Sequence, residues 1–278
     1  MAEADLFAVI DDTVALYYLN GADIATAGDN AEGTAVLDID TEVGNAPTYE
    51  LNGPGADLFG DATDEAINLE PGDYVTTGAL TAQLQSDPFT FEIIFKPDRY
   101  DVSSSQTHII QMGSYGSGRS GWGAYGSLID SDHPQHTLQL GFAANAYFIN
   151  RVTVADDHAD WDLEWVWLAG IYSSARGAAA LAQMAVGRIG VDSNVIMGDD
   201  TARTNGTNTA MGTDTDALIL GFQDNYTRYF NGKISVFHYM EVDKGDAWFQ
   251  SRFNEINAWA LAGGIPIFNQ HYRNMRMR

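Results

Sequence analysis

Residues Phe89–Pro97 (FTFEIIFKP) constrain the fold more than any other stretch. Phe89, Phe91, Ile93 and Phe95 alternate with Thr90, Glu92, Ile94 and Lys96. One face of an extended segment would therefore be uniformly apolar and mostly aromatic, and the other mixed. Pro88 and Pro97 bound the segment, and neither has the N–H that a sheet ladder needs. The pattern predicts a core strand of a two-layer β structure.

Several other segments share this character. Residues 14–19, before the turn pair Asn20-Gly21, read as an opening strand. Residues 66–70 and 73–75 flank Pro71-Gly72 as two arms of a short β segment. Residues 108–112, 137–142, 146–149, 217–222 and 232–239 read as strands. Residues 160–172 read as a longer one, with Trp161, Leu163, Trp165, Trp167 and Ala169 on one side. Residues 113–126 are dense in glycine and read as a loop carrying Tyr115, Trp122 and Tyr125. Residues 177–195 read as a hairpin, although 178–182 also have good helix propensity. Residues 21–65 and 198–216 read as loops with short edge strands. One helix is predicted near the end, with Asp246 as its N-cap and Phe249, Phe253, Ile256 and Ala260 recurring at helical spacing before Gly263-Gly264. The expected fold is all-β, a two-sheet antiparallel jelly-roll sandwich with one C-terminal helix. A single domain spans residues 1–262, and residues 263–278 form a basic tail.

Charge narrows the partners. The chain of 278 residues has 38 acidic and 14 basic residues, for a net charge of −24. The first basic residue is Lys96. Phosphate repulsion on such a surface excludes nucleic acid as a partner. Among the acids 28 are Asp, and only 3 of the bases are Lys. Short hydrated carboxylates in place of lysine stems match proteins of concentrated salt, where screening relieves self-repulsion. A halophilic or marine source is the expectation. On so acidic a body, Arg273, Arg276 and Arg278 are candidate assembly residues that dock on the body or on a neighbouring copy. With no cysteine, disulfides and thiolate metal sites are excluded. Residues 1–10 have neither a basic leader nor a long apolar run, and no stretch reaches membrane-spanning length. Cytoplasmic synthesis without a signal peptide, and no membrane insertion, are the expectations.

The order of segments resembles the laminin-G-like, pentraxin-like domains of the concanavalin A-like lectin and glucanase superfamily. The matching pieces are VALYYLNG at 14–21, the Asp/Asn/Gly-rich 27–33, the 66–75 segment ending Gly-Asp-Tyr-Val, Phe89–Pro97, the tryptophan strand at 165–172 and the paired strands of 218–239. The sequence departs from that family at Ser235 and Val236, where an acidic pair commonly follows the isoleucine. The resemblance implies a jelly-roll sandwich that often holds carbohydrate or calcium at its loop rim.

Three chemistries have candidate residues. A carbohydrate platform could use Trp122, Tyr125, Asp130, Asp132 and His133, or Tyr226, Arg228 and Tyr229, aromatic faces beside polar groups. Packing beneath loops or at a subunit contact is the alternative reading of these aromatics. Ca²⁺, which takes oxygen ligands, could bind at Asp29 and Asn30 or at Asp156 and Asp157. Alternation in 38–42 would place Asp38, Asp40 and Glu42 on one face, as in a superfamily glycosidase group. His133 and His136 are a weak zinc pair. The combined expectation is a non-enzymatic structural or adhesion module on a virion surface, such as a turret, decoration or fibre protein, with other virion proteins and copies of itself as partners. The alternatives are a carbohydrate-binding domain for host-surface glycans and, after it, a glycoside hydrolase or polysaccharide lyase.

Overall fold

A computed structural model describes residues 7, 12–19, 39–43, 48–50, 53–59, 66–77, 84–98, 107–116, 119–128, 133–142, 146–155, 158–177, 180–199, 218–223 and 228–261. In chain order the strands are β1 (Thr13–Tyr18), β2 (Ile39–Val43), β3 (Thr48–Glu50), β4 (Ala66–Leu69), β5 (Tyr74–Thr77), β6 (Phe89–Pro97), β7 (Thr107–Gly116), β8 (Arg119–Leu128) and β9 (Pro134–Phe142). They continue as β10 (Ala146–Thr153), β11 (Val166–Tyr172), β12 (Ala182–Arg188), β13 (Ile196–Met197), β14 (Leu218–Leu220), β15 (Phe222–Gln223), β16 (Arg228–Tyr229) and β17 (Gly232–Met240). Two helices, α1 (Pro54–Phe59) and α2 (Asp246–Leu261), complete the described elements.

The strands form a two-sheet antiparallel β-sandwich. An eight-stranded sheet runs β13-β12-β11-β6-β17-β4-β3, with β1 also on β17, and a seven-stranded sheet runs β10-β9-β8-β7-β14-β5-β2. The expected core strand is β6, between β11 and β17. Phe89, Phe91, Ile93 and Phe95 enter the inter-sheet core with Met112, Trp122, Leu138, Leu140, Phe148 and Val152 of the opposite sheet. Phe91 stacks on Trp122 with ring centroids 4.6 Å apart, so the two sheets meet through aromatic contacts.

The other face of the eight-stranded sheet is closed by α2. Phe249, Phe253, Ile256, Trp259 and Ala260 pack with Ile94, Trp167, Ala169, Ile171 and Val236, as the helical spacing in the sequence requires. Gly187 makes the close approach possible, because a Cβ there would lie 2.6 Å from Cζ of Phe253.

Within this layer a charged group is buried. Glu92 on β6 accepts from Trp167 Nε1 at 3.0 Å, from Arg252 Nε at 2.9 Å and from His238 Nδ1 at 3.1 Å. On its other side, His238 Nε2 and the Thr13 hydroxyl are hydrogen-bonded at 2.9 Å. Burial alone would push the Glu92 carboxyl up. The Arg252 charge and the hydrogen bonds outweigh it and hold Glu92 down at about 2. Glu92 therefore fastens α2 and β1 to the sheet and is spent on structure. On the same side, Asp57 of α1 accepts from Trp165 Nε1 at 2.9 Å and from Lys96 Nζ at 2.5 Å.

Four sequence expectations are corrected. Residues 113–126 are largely strand, in β7 and β8, because glycine leaves no side-chain period to read. The arms at 66–70 and 73–75 belong to different sheets, as β4 and β5. The intervening turn, closed by Asp73 N–H on Glu70 O at 2.9 Å with Gly72 at φ 113°, is a corner of the sandwich. The tryptophan strand begins only at Val166. Leu163 is 59% exposed at φ 65°, and Trp161 enters the inter-sheet core while Trp165 and Trp167 lie beneath α2. Residues 182–188 form β12, which pairs with β11 and also closes a hairpin with β13, whose residues 196–197 lie just past the expected end at 195.

Candidate functional site

Strand alternation separates the two aromatics proposed for one platform. Trp122 and Tyr125 lie three residues apart on β8 and so point to opposite faces. Trp122 is fully buried in the inter-sheet core, and its indole N–H donates to Leu84 O at 2.7 Å. It has no face to offer a sugar, which corrects the expectation. Tyr125 points to the opposite face of the sheet and is itself only 3% exposed, so it too offers no open platform. Its hydroxyl donates to Gln139 Oε1 at 3.3 Å, and its ring lies 4.9 Å from that of His108.

Of the other candidates, His133 is half-buried at the start of β9 and Tyr229 is half-buried in the β15–β16 hairpin. Both lie at one end of the seven-stranded sheet, where β7 begins and β8 ends. Leu128 pairs with Pro134 there, and Gly221 N–H reaches Ile109 O at 3.0 Å. Arg228 pairs with Gln223 in that hairpin. Asp130, Asp132 and Tyr226 lie outside the described residues, as do Asp29, Asn30, Asp156 and Asp157 and the tail arginines Arg273, Arg276 and Arg278.

His133 and His136 do not form a metal pair. His136 points into the core, 5.5 Å from the ring of Trp161, and burial pushes its imidazole down to about 3. Among the described residues, no group of three His, Asp or Glu side chains is placed to hold a metal ion. The acidic segment at 38–42 overlaps β2, the edge strand of its sheet, and its register on β5 shifts between Ile39 and Thr41. A central position and strict alternation, both of which a carboxylate pair would need, are missing there.

The arrangement with chemical potential is the outer face of the seven-stranded sheet. Inward Leu138, Leu140, Phe148 and Val152 alternate with outward Thr137, Gln139, Ile149 and Arg151. Register then sets Arg151, Thr137, Tyr125 and His108 in one cross-strand row, and Ile149, Gln139, Gly123 and Gln111 in the next. Beyond them Gly141, Gly121 and Gly113 form a third row with no side chains. Three strand spacings of ~4.8 Å make the first row about 14 Å long.

Polar groups on this face have spare capacity. Gln111 uses Nε2 on Gly113 O at 2.7 Å, but its buried Oε1 has no partner. The buried Thr137 Oγ1 and Arg151 Nε are likewise without hydrogen bonds. An unmet buried polar group costs about 1–3 kcal/mol, so three on neighbouring strands mark a surface whose bonding is incomplete. Of the residues in these rows Gln139 and Arg151 are partly exposed, whereas Thr137, Tyr125, His108, Gln111 and the row glycines are buried. An amide beside a guanidinium can bond a hydroxyl-rich molecule, yet the face contains no paired carboxylates and no nucleophile with a base among the described residues. Sequence reasoning found Tyr125 here and missed Arg151, Thr137, Gln139 and Gln111. Their signal was the alternation of polar with apolar residues in 137–142 and 147–153.

No protein-family model and no curated protein sequence matches the chain. Solved structures do share its fold. Domain 4 of AbnA, a GH43 extracellular arabinanase from Geobacillus stearothermophilus in complex with arabinotriose, is 12% identical with a TM-score of 0.50, over 87% of this chain and 98% of that one. The binding domain of botulinum neurotoxin serotype D/C is 13% identical with a TM-score of 0.53, over 88% of this chain and 52% of that one. The binding domain of botulinum neurotoxin DC in complex with SialylT is 12% identical with a TM-score of 0.50, over 88% and 51%. The chain thus spans about half the length of these toxin domains. At such identities the likeness establishes a shared β-sandwich fold.

Proposed function

We propose that this chain is a non-enzymatic adhesion module whose seven-stranded sheet binds glycan on its outer face. The observation that carries the reading is the β9–β10 margin of that face, where Gln139 and Arg151 are partly exposed beside the buried Thr137. Sugars supply hydroxyls that both donate and accept, and they match mixed polar and backbone surfaces. Two structures of this fold carry saccharide names in their descriptions, arabinotriose and SialylT, which supports the ligand class. Catalysis is set aside because the acidic strand β2 lies at an edge and Glu92 is consumed by Arg252 and His238. An array of neutral and acidic oligosaccharides probed with the intact chain in concentrated salt tests the reading. Retention of a defined saccharide set supports it, and no retention at any salt concentration refutes it.

Composition favours a setting for this module. A charge of −24 with 28 aspartates and the order of laminin-G-like segments support a virion-surface protein of a halophilic or marine microbe's virus. It would be synthesised in the cytoplasm and contact other virion proteins and its own copies. Ca²⁺ is the candidate ion for Asp156 and Asp157, which lie outside the described residues. Absence of the protein from purified particles would refute the setting and leave the glycan reading intact.

A further inference from the structure

We infer that residues 265–268 of the chain's own C-terminal segment dock in a groove between the turn at 190–193 and the last turns of α2. The groove is open to solvent and has a volume of about 340 Å³. Its polar lining is largely bonded within the protein. Gly190 N–H donates to Asn257 Oδ1 at 2.9 Å, Asn257 Nδ2 donates to Asp192 O at 2.6 Å, and Asn254 Oδ1 accepts from Gln250 Nε2 at 2.8 Å. The Asp192 carboxylate is held by Arg188 at 2.7 Å. What the groove still presents is apolar. Val191 on one wall is 53% exposed and Leu261 on the other 77%, two of the four large hydrophobic residues exposed among the described ones. One such side chain on a surface is ordinary, but two lining one groove of a chain charged −24 mark a contact.

The occupant follows from where the chain goes next. Residues 262–278 lie outside the described residues and continue from Leu261, itself on the groove wall. The sequence there reads Ala262-Gly263-Gly264-Ile265-Pro266-Ile267-Phe268. A glycine pair lets a chain reverse, and a proline disfavours helix at the residue before it. An extended run puts Ile265 and Ile267 on one side. The stretch from Leu261 to Phe268 reaches up to ~24 Å. Asn254, at the far end of the helical wall, lies only about 10 Å back along α2. A segment that turns at the glycines therefore covers the groove with length to spare. Charge agrees with the assignment. His271, Arg273, Arg276 and Arg278 follow the apolar run, and the loop carrying Asp160, Asp162 and Glu164 is tied to the same end by Arg188, whose Nη1 donates to Asp160 O at 3.0 Å. A tail from a second copy would bring another body of −24 with it, a repulsion that the chain's own tail does not meet.

The test uses the intact chain. Hydrogen exchange read by mass spectrometry should show the amides of 190–193 and 257–261 exchanging at least tenfold faster in Ile267→Asp/Phe268→Asp than in wild type, with β6 unchanged as proof of folding. Val191→Asp, at an exposed position on the opposite wall, should have the same effect, and combining it with the tail variant should add nothing. Equal exchange in wild type and the tail variant overturns the docking, as does additivity of the two changes. Because the chain has no cysteine, a Val191→Cys/Ile267→Cys pair identifies the occupant. Oxidation should link the two positions within one chain at every protein concentration. Links formed only between chains would assign the groove to a second copy and overturn the own-tail reading, and no link at all overturns it too. Ala175→Cys in place of Val191→Cys is the control. Ala175 is exposed beside the start of α2, where Arg176 meets Asp246 at 2.6 Å, and the length of α2, about 24 Å, separates it from Leu261. Linkage of Ile267→Cys to Ala175→Cys as readily as to Val191→Cys would show a segment without a seat and overturn the inference.

Discussion

Trp122 and Tyr125 sit three residues apart on β8 and face opposite sides of the sheet, one sealed against Phe91 in the core and the other bonded to Gln139 on the outer face. Their roles are therefore separable by mutation. Trp122→Ala removes a fully buried indole and should destabilise the fold by about 3–5 kcal/mol. Urea denaturation measures this, and a stability change below about 1 kcal/mol would contradict the core placement of Trp122.

The buried carboxylate of Glu92 makes a second test. Arg252→Ala leaves that charge with only His238 and Trp167, and the expected loss is about 3–5 kcal/mol. Replacing Glu92 and Arg252 together by methionine should cost clearly less than the sum of the single changes. Additive losses in a denaturation cycle would show that the two groups do not act as a pair.

Acid should unfold the protein in two overlapping steps. His136 is held down at about 3 by burial, so the unfolded chain takes up a proton near 6.5 that the folded state refuses. Stability from this site is intact above pH 6.5 and falls as pH drops, by about 3 kcal/mol at pH 4.5. Glu92, held at about 2 against an ordinary 4.5, adds its own loss only below about pH 4.5. His136→Phe should flatten the slope between pH 6.5 and 4.5 relative to wild type. Parallel urea midpoints for the two proteins across that range would contradict the assignment.

Gly187 governs how closely α2 approaches the sheet. Gly187→Ala places a methyl against the ring of Phe253 and should cost about 1–3 kcal/mol through overpacking. Phe253→Leu in the same background, by vacating the space, should recover part of the loss. No recovery would locate the strain elsewhere.

Legibility followed the side chains. Phe89–Pro97 was readable to its ends because every second residue is large and apolar and prolines stop the ladder. The α2 face was readable because Phe249, Phe253, Ile256 and Ala260 recur at helical spacing. The end of β7 and the whole of β8 were not, since Gly113, Gly121, Gly123 and Gly126 have no side chains to show a period, and residues 113–126 passed for a loop. The sheet assignment of β4 and β5 was also hidden, because a turn and a corner use the same Pro-Gly pair. The candidate site depends on register across β7, β8, β9 and β10. Nothing within residues 137–142 or 147–153 alone reveals that Arg151 and Thr137 are neighbours, so polar outward residues read as ordinary solvent-facing ones.

The central claim is that the outer face of the seven-stranded sheet holds glycan, and Gln139 tests it most directly. This side chain is partly exposed, accepts from Tyr125 and takes no part in the core. With the best-retained oligosaccharide from an array as probe, calorimetric titration of wild type and Gln139→Ala should show binding about tenfold weaker in the variant, the loss of about 1.4 kcal/mol expected of a hydrogen bond to ligand. The stability of the variant in urea should fall only by the loss of the single Tyr125–Gln139 hydrogen bond, about 1 kcal/mol. Equal affinities of the two proteins for that oligosaccharide would contradict the account.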